Sequence, residues 1–359
     1  MKTNIGILFT IMLMFVVLPR TLAQDDFTKN VEKTYTASSI SLLTVDNKYG
    51  NIDVRDWNND EIKITVSIIL HDISKQKADQ VFDQVNINFS EEGGQLSVET
   101  DYSDDFFKSM GKNFHSDDKK FEVNYVINMP ATQKVSLNNK YGDVFISKIN
   151  SPSFIGVKYG NLQANQLIAD GKDKMAEIDI SYSKANIETC QWLKIDSKYS
   201  KAIIQTSKAL IILSKYSKME INDGSSIVCE SKYDTYDIGN IANFVTEAEY
   251  SNFRMDEVSR KISLDTRYTD VRVDKVPAQF ESVDIDNSYG SIRIGIDNDA
   301  SYYLKGHAKY AKIHFPDNQR VNYFQENTEL NVEGNIGDKR NNLPKVTIET
   351  KYGGVNLTQ

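Results

Sequence analysis

Residues Leu193–Thr206 read LKIDSKYSKAIIQT, and the central Ser-Lys-Tyr-Ser returns at Ser214–Ser217 and, as Ser-Lys-Tyr-Asp, at Ser231–Asp234. Working outward from the tyrosine of this motif gives Tyr49, Tyr141, Tyr159, Tyr182, Tyr199, Tyr216, Tyr233, Tyr250, Tyr268, Tyr289, Tyr310 and Tyr352. From Tyr182 to Tyr250 the spacing is 17 residues four times running, then 18, 21, 21 and 42, which is twice 21. A fixed period in this range is the signature of a solenoid, because each repeat buries its apolar face only against its neighbours.

Apolar residues stand six and four positions before each tyrosine, as Leu193 and Ile195 or Ile262 and Leu264, and a small polar residue stands two before it, as Asn47, Asn139, Ser197 or Asn287. Period two means a strand with these side chains on one face. After the tyrosine comes Gly or a small residue, then apolar positions at plus three and plus five (Ile52 and Val54, Ile292 and Ile294) and again at plus eight (Ile149, Leu167, Cys190, Val258). The change of parity requires a bend, and three short sides per turn describe a triangular coil. Coils stacked at roughly 4.8 Å form a parallel β-helix on the order of 50 Å long. Right-handed crossovers are the rule, so a right-handed helix is expected. The parity also places the rings of Tyr141, Tyr159, Tyr182, Tyr199, Tyr216, Tyr233, Tyr250, Tyr268, Tyr289 and Tyr310 inward, as a structural ladder at one corner. An outward stripe of that length would be a conspicuous apolar patch.

Residues 1–23 have the pattern of a cleaved secretory signal: Lys2, an apolar run from Ile5 to Leu18, and Thr21-Leu22-Ala23. Residues 24–130 read as a strand-rich capping region with one short helix starting after Ser74, a hairpin through Glu91-Glu92-Gly93-Gly94 and a mobile loop at 101–120. Residues 131–359 carry the repeats, with an excursion at Asp317–Leu343 expected to cover the edge of the last coil, Lys345–Leu357. The formal net charge of −8 argues against nucleic acid as a partner.

The N-x-Y-G-x-I-x-V segment from Asn47 to Val54 followed by Trp57, an α+β insertion and repeated K-Y-G turns resemble a bacterial family of exported parallel β-helix proteins, a domain of unknown function provisionally named as adhesins. The resemblance implies a cell-envelope protein, periplasmic or surface-exposed, whose partner is an envelope glycan or another envelope protein.

Immediately before the tyrosines runs a basic column (Lys48, Lys140, Lys158, Lys198, Lys215, Lys232, Arg267, Lys309, Lys351), and two positions earlier an acidic one (Asp46, Asp179, Asp196, Glu230, Asp265, Asp286, Glu349). Compensated columns keep a stacked face solvated. If the face binds, the candidate ligand stripe is Lys198, Lys215, Lys232 and Arg267. Cys190 and Cys229 fall on different sides of the triangle, about three rungs apart and too distant for a disulfide. His307 and His314 flank Tyr310, a pairing more common by chance than for a metal. No metal, cofactor or catalytic residue is assigned. Polysaccharide lyases and glycosidases also use β-helices, but they cluster their carboxylates, whereas here the outward acids are evenly distributed and Asp104–Asp105 and Asp117–Asp118 are merely adjacent in sequence. The reading is a non-catalytic adhesin-like binding or structural scaffold, with a carbohydrate-active β-helix enzyme as the alternative.

Overall fold

Four successive strands, Lys184–Lys198, Lys201–Lys215, Lys218–Lys232 and Thr235–Glu249, each make one whole coil and pair in parallel at an offset of 17 residues. A computed structural model describes residues 25–109, 120–169, 174–316, 320–339 and 341–358, so the signal-like segment and Asp117 and Asp118 lie outside the described residues. In the coil Lys201–Lys215 the buried positions are Ala202, Ile204, Ser207, Leu210, Ile212 and Ser214. The two jumps of three residues mark two gentle corners, and the third is at Tyr216. Backbone pairing from coil to coil and an apolar interior make the parallel β-solenoid that the period predicts.

The third corner corrects the expected direction of the tyrosines. All twelve have φ between 51° and 64°, the left-handed region. A left-handed residue reverses the strand's alternation, so the small residue after it turns inward: Ser200, Ser217, Asp234, Ser251 and Thr269 are buried. The rings from Tyr159 onward stand outside, 39–52% exposed. They do form a ladder, with centroids 4.7–5.3 Å apart from Tyr49 to Tyr310. Left-handed backbone costs a non-glycine residue about 1–2 kcal/mol, and an aromatic stack contributes about 0.5–1.5 kcal/mol beyond its area. The two effects are of similar size, which explains why an aromatic residue can hold a position that favours glycine. Pairing also continues through the corner, since Tyr199 N–H donates to the Lys215 carbonyl at 3.1 Å.

The inward position tolerates only small groups. A Cβ on Gly142 would lie 1.9 Å from the Gly50 carbonyl oxygen. At two of the glycine corners a longer residue two before the tyrosine reaches over: Asn139 Nδ2 donates to the Gly50 carbonyl at 2.9 Å and Asn287 Nδ2 to that of Gly290 at 2.9 Å. Where serine stands there, its hydroxyl does this work and the partner is short, as in Ser197 Oγ to Ser217 Oγ at 3.1 Å. Asp234 substitutes a buried carboxylate that accepts from the hydroxyls of Ser214 and Ser231 and the amides of Ser217 and Lys232.

At the N-terminal end the first coil, Leu42–Lys48 and Ile52–Asp56, is covered by strands Gln95–Tyr102 and Phe121–Met129, both parallel to it. Glu61–Ile73 and Asp25–Thr36 extend this sheet antiparallel, and the helix Lys75–Phe82 buries Ala78 and Val81. The loop expected to be mobile is anchored in its described part. Phe106 is fully buried and Phe107 sits edge-on to Tyr49, because the last ring of the ladder would otherwise face water.

At the C-terminal end the coils do not follow sequence order. After Ser282–Ser288 and Ile292–Ile296 the chain skips a rung to make Tyr302–Lys309 and Ile313–His314, and Lys345–Lys351 with Val355–Thr358 then fills the skipped rung, paired in parallel on both sides. The ladder accordingly runs Tyr289, Tyr352, Tyr310, with steps of 4.9 and 5.0 Å. The excursion covers Tyr302–Lys309, through antiparallel Glu329–Ile336, and not the last coil in sequence. Equal spacings of 21 fit either order, so the period could not distinguish them. Cys190 and Cys229 are free and buried, on strands separated by one other instead of two.

Candidate functional site

Because the coils are in register, the residue before each tyrosine forms a continuous outward column beside the rings: Lys48 pairs with Lys140, Lys140 with Lys158, Lys198 with Lys215 and Lys215 with Lys232. The ammonium groups lean over the adjacent rings, 4.8 Å from the centroid for Lys48 on Tyr49, 4.9 Å for Lys140 on Tyr141 and 5.4 Å for Lys158 on Tyr159. A cation at this range is attracted by the ring's quadrupole.

The stripe expected from the sequence is largely compensated. Lys198 Nζ bonds Asp196 at 3.1 Å and Lys232 Nζ bonds Glu249 at 2.7 Å, and each pairing raises the lysine's pKa. Lys215 and Arg267 lie over Tyr216 and Tyr268 at 5.4 and 5.6 Å. The groove of about 380 Å³ around Lys198, Lys215 and Lys232 also holds Asp196, Glu230, Glu247 and Glu249. Its field is that of a mixed surface.

A larger groove, about 680 Å³, lies over the first four coils. Its floor is the outward face of Leu42–Lys48, Val135–Lys140 and Ser153–Lys158, and Glu99, Thr100 and Tyr102 of the capping strand form a wall. Here the acidic column is interrupted: the position two before the lysine is Asn138 and then Gly156, so Lys140 and Lys158 lack the carboxylate that accompanies Lys198. The acids at the groove, Glu99, Asp46 and Asp179, stand at its two ends along the coil axis. Among the described residues, none of Lys48, Lys140 and Lys158 has a carboxylate within ion-pair distance. Burial, then the charge of Lys140, lowers the pKa of Lys48. Burial, then Asp196, raises that of Asp179. Phe154 is exposed on the floor, and Gly156 lies so close to the neighbouring coil that a Cβ there would meet Asn138 Oδ1 at 2.7 Å.

The ring ladder does not offer stacking faces. Each inner tyrosine has both faces covered by neighbours near 5 Å, as Tyr216 does between Tyr199 and Tyr233 at 4.9 Å each, so water meets ring edges and hydroxyls. What the arrangement can do is hold negative charge through a row of ammonium groups, with hydroxyls alongside. His307 bonds Asn331 Oδ1 at 2.9 Å, and among the described residues no three or more His, Cys, Asp or Glu gather as a metal set. Lys48, Lys140 and Lys158 were visible as members of the basic column but were not singled out. The signal that marks Lys140 and Lys158 is the missing acid at Asn138 and Gly156, which counting lysines alone does not show, whereas Lys48 keeps Asp46 two positions before it.

Comparison with curated proteins finds no match. Among solved structures, a provisionally named adhesin of Bacteroides fragilis is 10% identical, with 92% of this chain and 97% of that chain covered and a TM-score of 0.34. A provisionally named lipid binding protein of Parabacteroides distasonis is 11% identical over 92% and 97%, with a TM-score of 0.29. A provisionally named cell adhesion protein of Clostridium sporogenes is 10% identical over 93% and 100%, at 0.21. Residues 40–358 match a family profile from the first coil to the last, and on that match this chain belongs to the Toastrack DUF4097 family.

Proposed function

We propose that the protein is an exported, non-catalytic scaffold of the cell envelope that holds an extended acidic glycan, anchored in the groove over the first four coils. The observation that carries this reading is the stack of Lys48, Lys140 and Lys158 on successive rungs, none of which has a carboxylate within ion-pair distance among the described residues. A rung spacing near 4.8 Å is close to the length of a sugar residue, so a linear polymer meets one ammonium group per unit and many weak contacts add. The names of the Bacteroides and Clostridium neighbours are compatible with an adhesive role. No helix among the described residues is long and apolar enough to cross a membrane.

The test is a titration of the protein with polygalacturonate, a polymer of carboxylated sugars, and with neutral dextran as control, at a series of salt concentrations. Binding of the acidic polymer alone, weakening linearly in log affinity against log salt with a slope near −2 to −3, is expected for about three neutralised charges on a flexible single chain. Equal binding of both polymers, or of neither, contradicts the proposal.

A further inference from the structure

The out-of-order coil at the C-terminal end has a second consequence. Lys345–Lys351 and Val355–Thr358 lie in a slot whose walls, Ser282–Ile296 on one side and Tyr302–His314 on the other, are consecutive in sequence. The walls are in phase with each other: Ser282 and Tyr303 both face Lys345, Ser288 and Lys309 both face Lys351, and Ile292 and Ile313 both face Val355. Removing the inserted coil and closing the gap by one rung would therefore place Tyr310 on Tyr289 and keep the walls paired at the same offset of 21 as the inserted coil leaves between them. The register thus leaves a second packing of similar pairing geometrically open, with the coil expelled, and two such alternatives would make this end a bistable element.

An expelled coil cannot remain in water. Val346, Ile348, Val355 and Leu357 are buried in the slot, and both edges of the coil would be left unpaired. The surface that matches it best is the same slot in a second copy. Asn287 Nδ2 reaches Thr350 Oγ1 at 3.2 Å, and Gly353 stacks on Gly290 where a Cβ would lie 2.1 Å from the carbonyl oxygen, so the slot reads this segment at its corner as well as along its strands.

The tether allows the exchange. The hairpin Val321–Glu326 and Glu329–Ile336 stays attached to Tyr302–Lys309, leaving residues 337–344 as the connection to Lys345. Asp338 N–H and Lys339 N–H donate to Ser301 Oγ at 3.1 and 3.2 Å, so the reach comes from the five residues before Lys345, about 16–18 Å when extended, whereas regaining the skipped rung inside one molecule requires about 10 Å. The slack is enough to enter the slot of a neighbour whose C-terminal end lies alongside.

We propose that Lys345–Thr358 is an exchangeable strand pair, and that the slot between Ser282–Ile296 and Tyr302–His314 accepts the same segment from a second copy to form a reciprocally swapped dimer. A two-fold arrangement closes such an exchange without leaving a free strand. This assembly is independent of the lysine groove, which lies at the other end of the solenoid.

Asp284 and Thr347 are register partners across the slot, on the outward face of their strands. Two full-length variants, Asp284→Cys and Thr347→Cys, carry tags of different size and are mixed at high protein concentration and physiological temperature under a mild thiol–disulfide buffer. Neither has a register partner cysteine in its own chain, so mixed-tag disulfide in excess of that formed by random collision reports the strand of one molecule in the slot of the other. The expected result is a mixed-tag covalent dimer that grows with time and concentration and exceeds the product formed when Glu177→Cys on a distant coil replaces Asp284→Cys. The double variant Asp284→Cys/Thr347→Cys, oxidised as a monomer before mixing, should remain monomeric by light scattering. If the double variant closes its internal disulfide fully but the single variants never yield more mixed-tag product than the Glu177→Cys control, the coil is permanently intramolecular and the proposal is wrong.

Discussion

Tyr199 and Tyr216 stack with centroids 4.9 Å apart and planes 11° apart, each on left-handed backbone at φ 51° and 53°. Strain and stacking are thus joined in the same residue, and the corner is built from their near balance.

That balance predicts an inverted order of substitutions. Tyr216→Ala removes the stacks with Tyr199 and Tyr233 but keeps a Cβ in the left-handed region, at a cost of about 1–3 kcal/mol. Tyr216→Gly loses the same stacks and relieves the strain, so it should be more stable than the alanine variant by about 1 kcal/mol. Within an ordinary strand glycine is the worse of the two. Denaturant unfolding of both variants decides the matter, and an alanine variant at least as stable as the glycine one would contradict the corner described above.

The acidic column sets a pH dependence. Burial, and then the charge of Asp265, raises the pKa of Asp286. A carboxyl raised on folding binds its proton more tightly in the folded state, so its contribution is favourable when protonated and is lost as pH rises through the raised value. Asp286→Asn should therefore stabilise the protein slightly at neutral pH, by less than about 1 kcal/mol for a largely solvated group, with the gain disappearing below the ordinary carboxylate range. Thermal melts across that range check the sign, and a destabilised variant at neutral pH would refute it.

Burial pushes the thiols of Cys190 and Cys229 up to about 12, so neither is a nucleophile in the folded protein at neutral pH. Alkylation by iodoacetamide should be undetectable until denaturant unfolds the coils, after which two groups react. Mass spectrometry showing rapid modification of the native protein at either site would mean the interior opens locally.

The coil was legible in the sequence because burial is periodic: Ile195, Ile212 and Cys229 stack at one offset, and nothing competes with that period. The direction of the tyrosines was not legible, because inward parity assumes extended backbone and a single left-handed residue reverses it. The inward small residues Ser217 and Asp234 were the available clue, together with the exchange of Asn-x-Tyr-Gly for Ser-x-Tyr-Ser between coils. The order of the last coils could not be read either, since Tyr310 and Tyr352 fall on multiples of the same 21 residues. For the groove, the sequence showed which lysines face outward and where the acid two before is missing, at Asn138 and Gly156, but not which lysines are paired from a neighbouring coil. That depends on side chains such as Glu249 pairing across coils with Lys232.

The central functional claim is that positive charge is available where the acidic column is interrupted and compensated elsewhere. Polygalacturonate binding at low salt, measured on the wild-type chain and on two triple variants, tests it most directly. Lys48→Gln/Lys140→Gln/Lys158→Gln should weaken binding at least tenfold and flatten the salt dependence, while Lys198→Gln/Lys215→Gln/Lys232→Gln should change affinity by no more than about twofold, because Asp196 and Glu249 already neutralise two of those lysines. Equal losses in the two variants, or a larger loss in the second, would contradict the account.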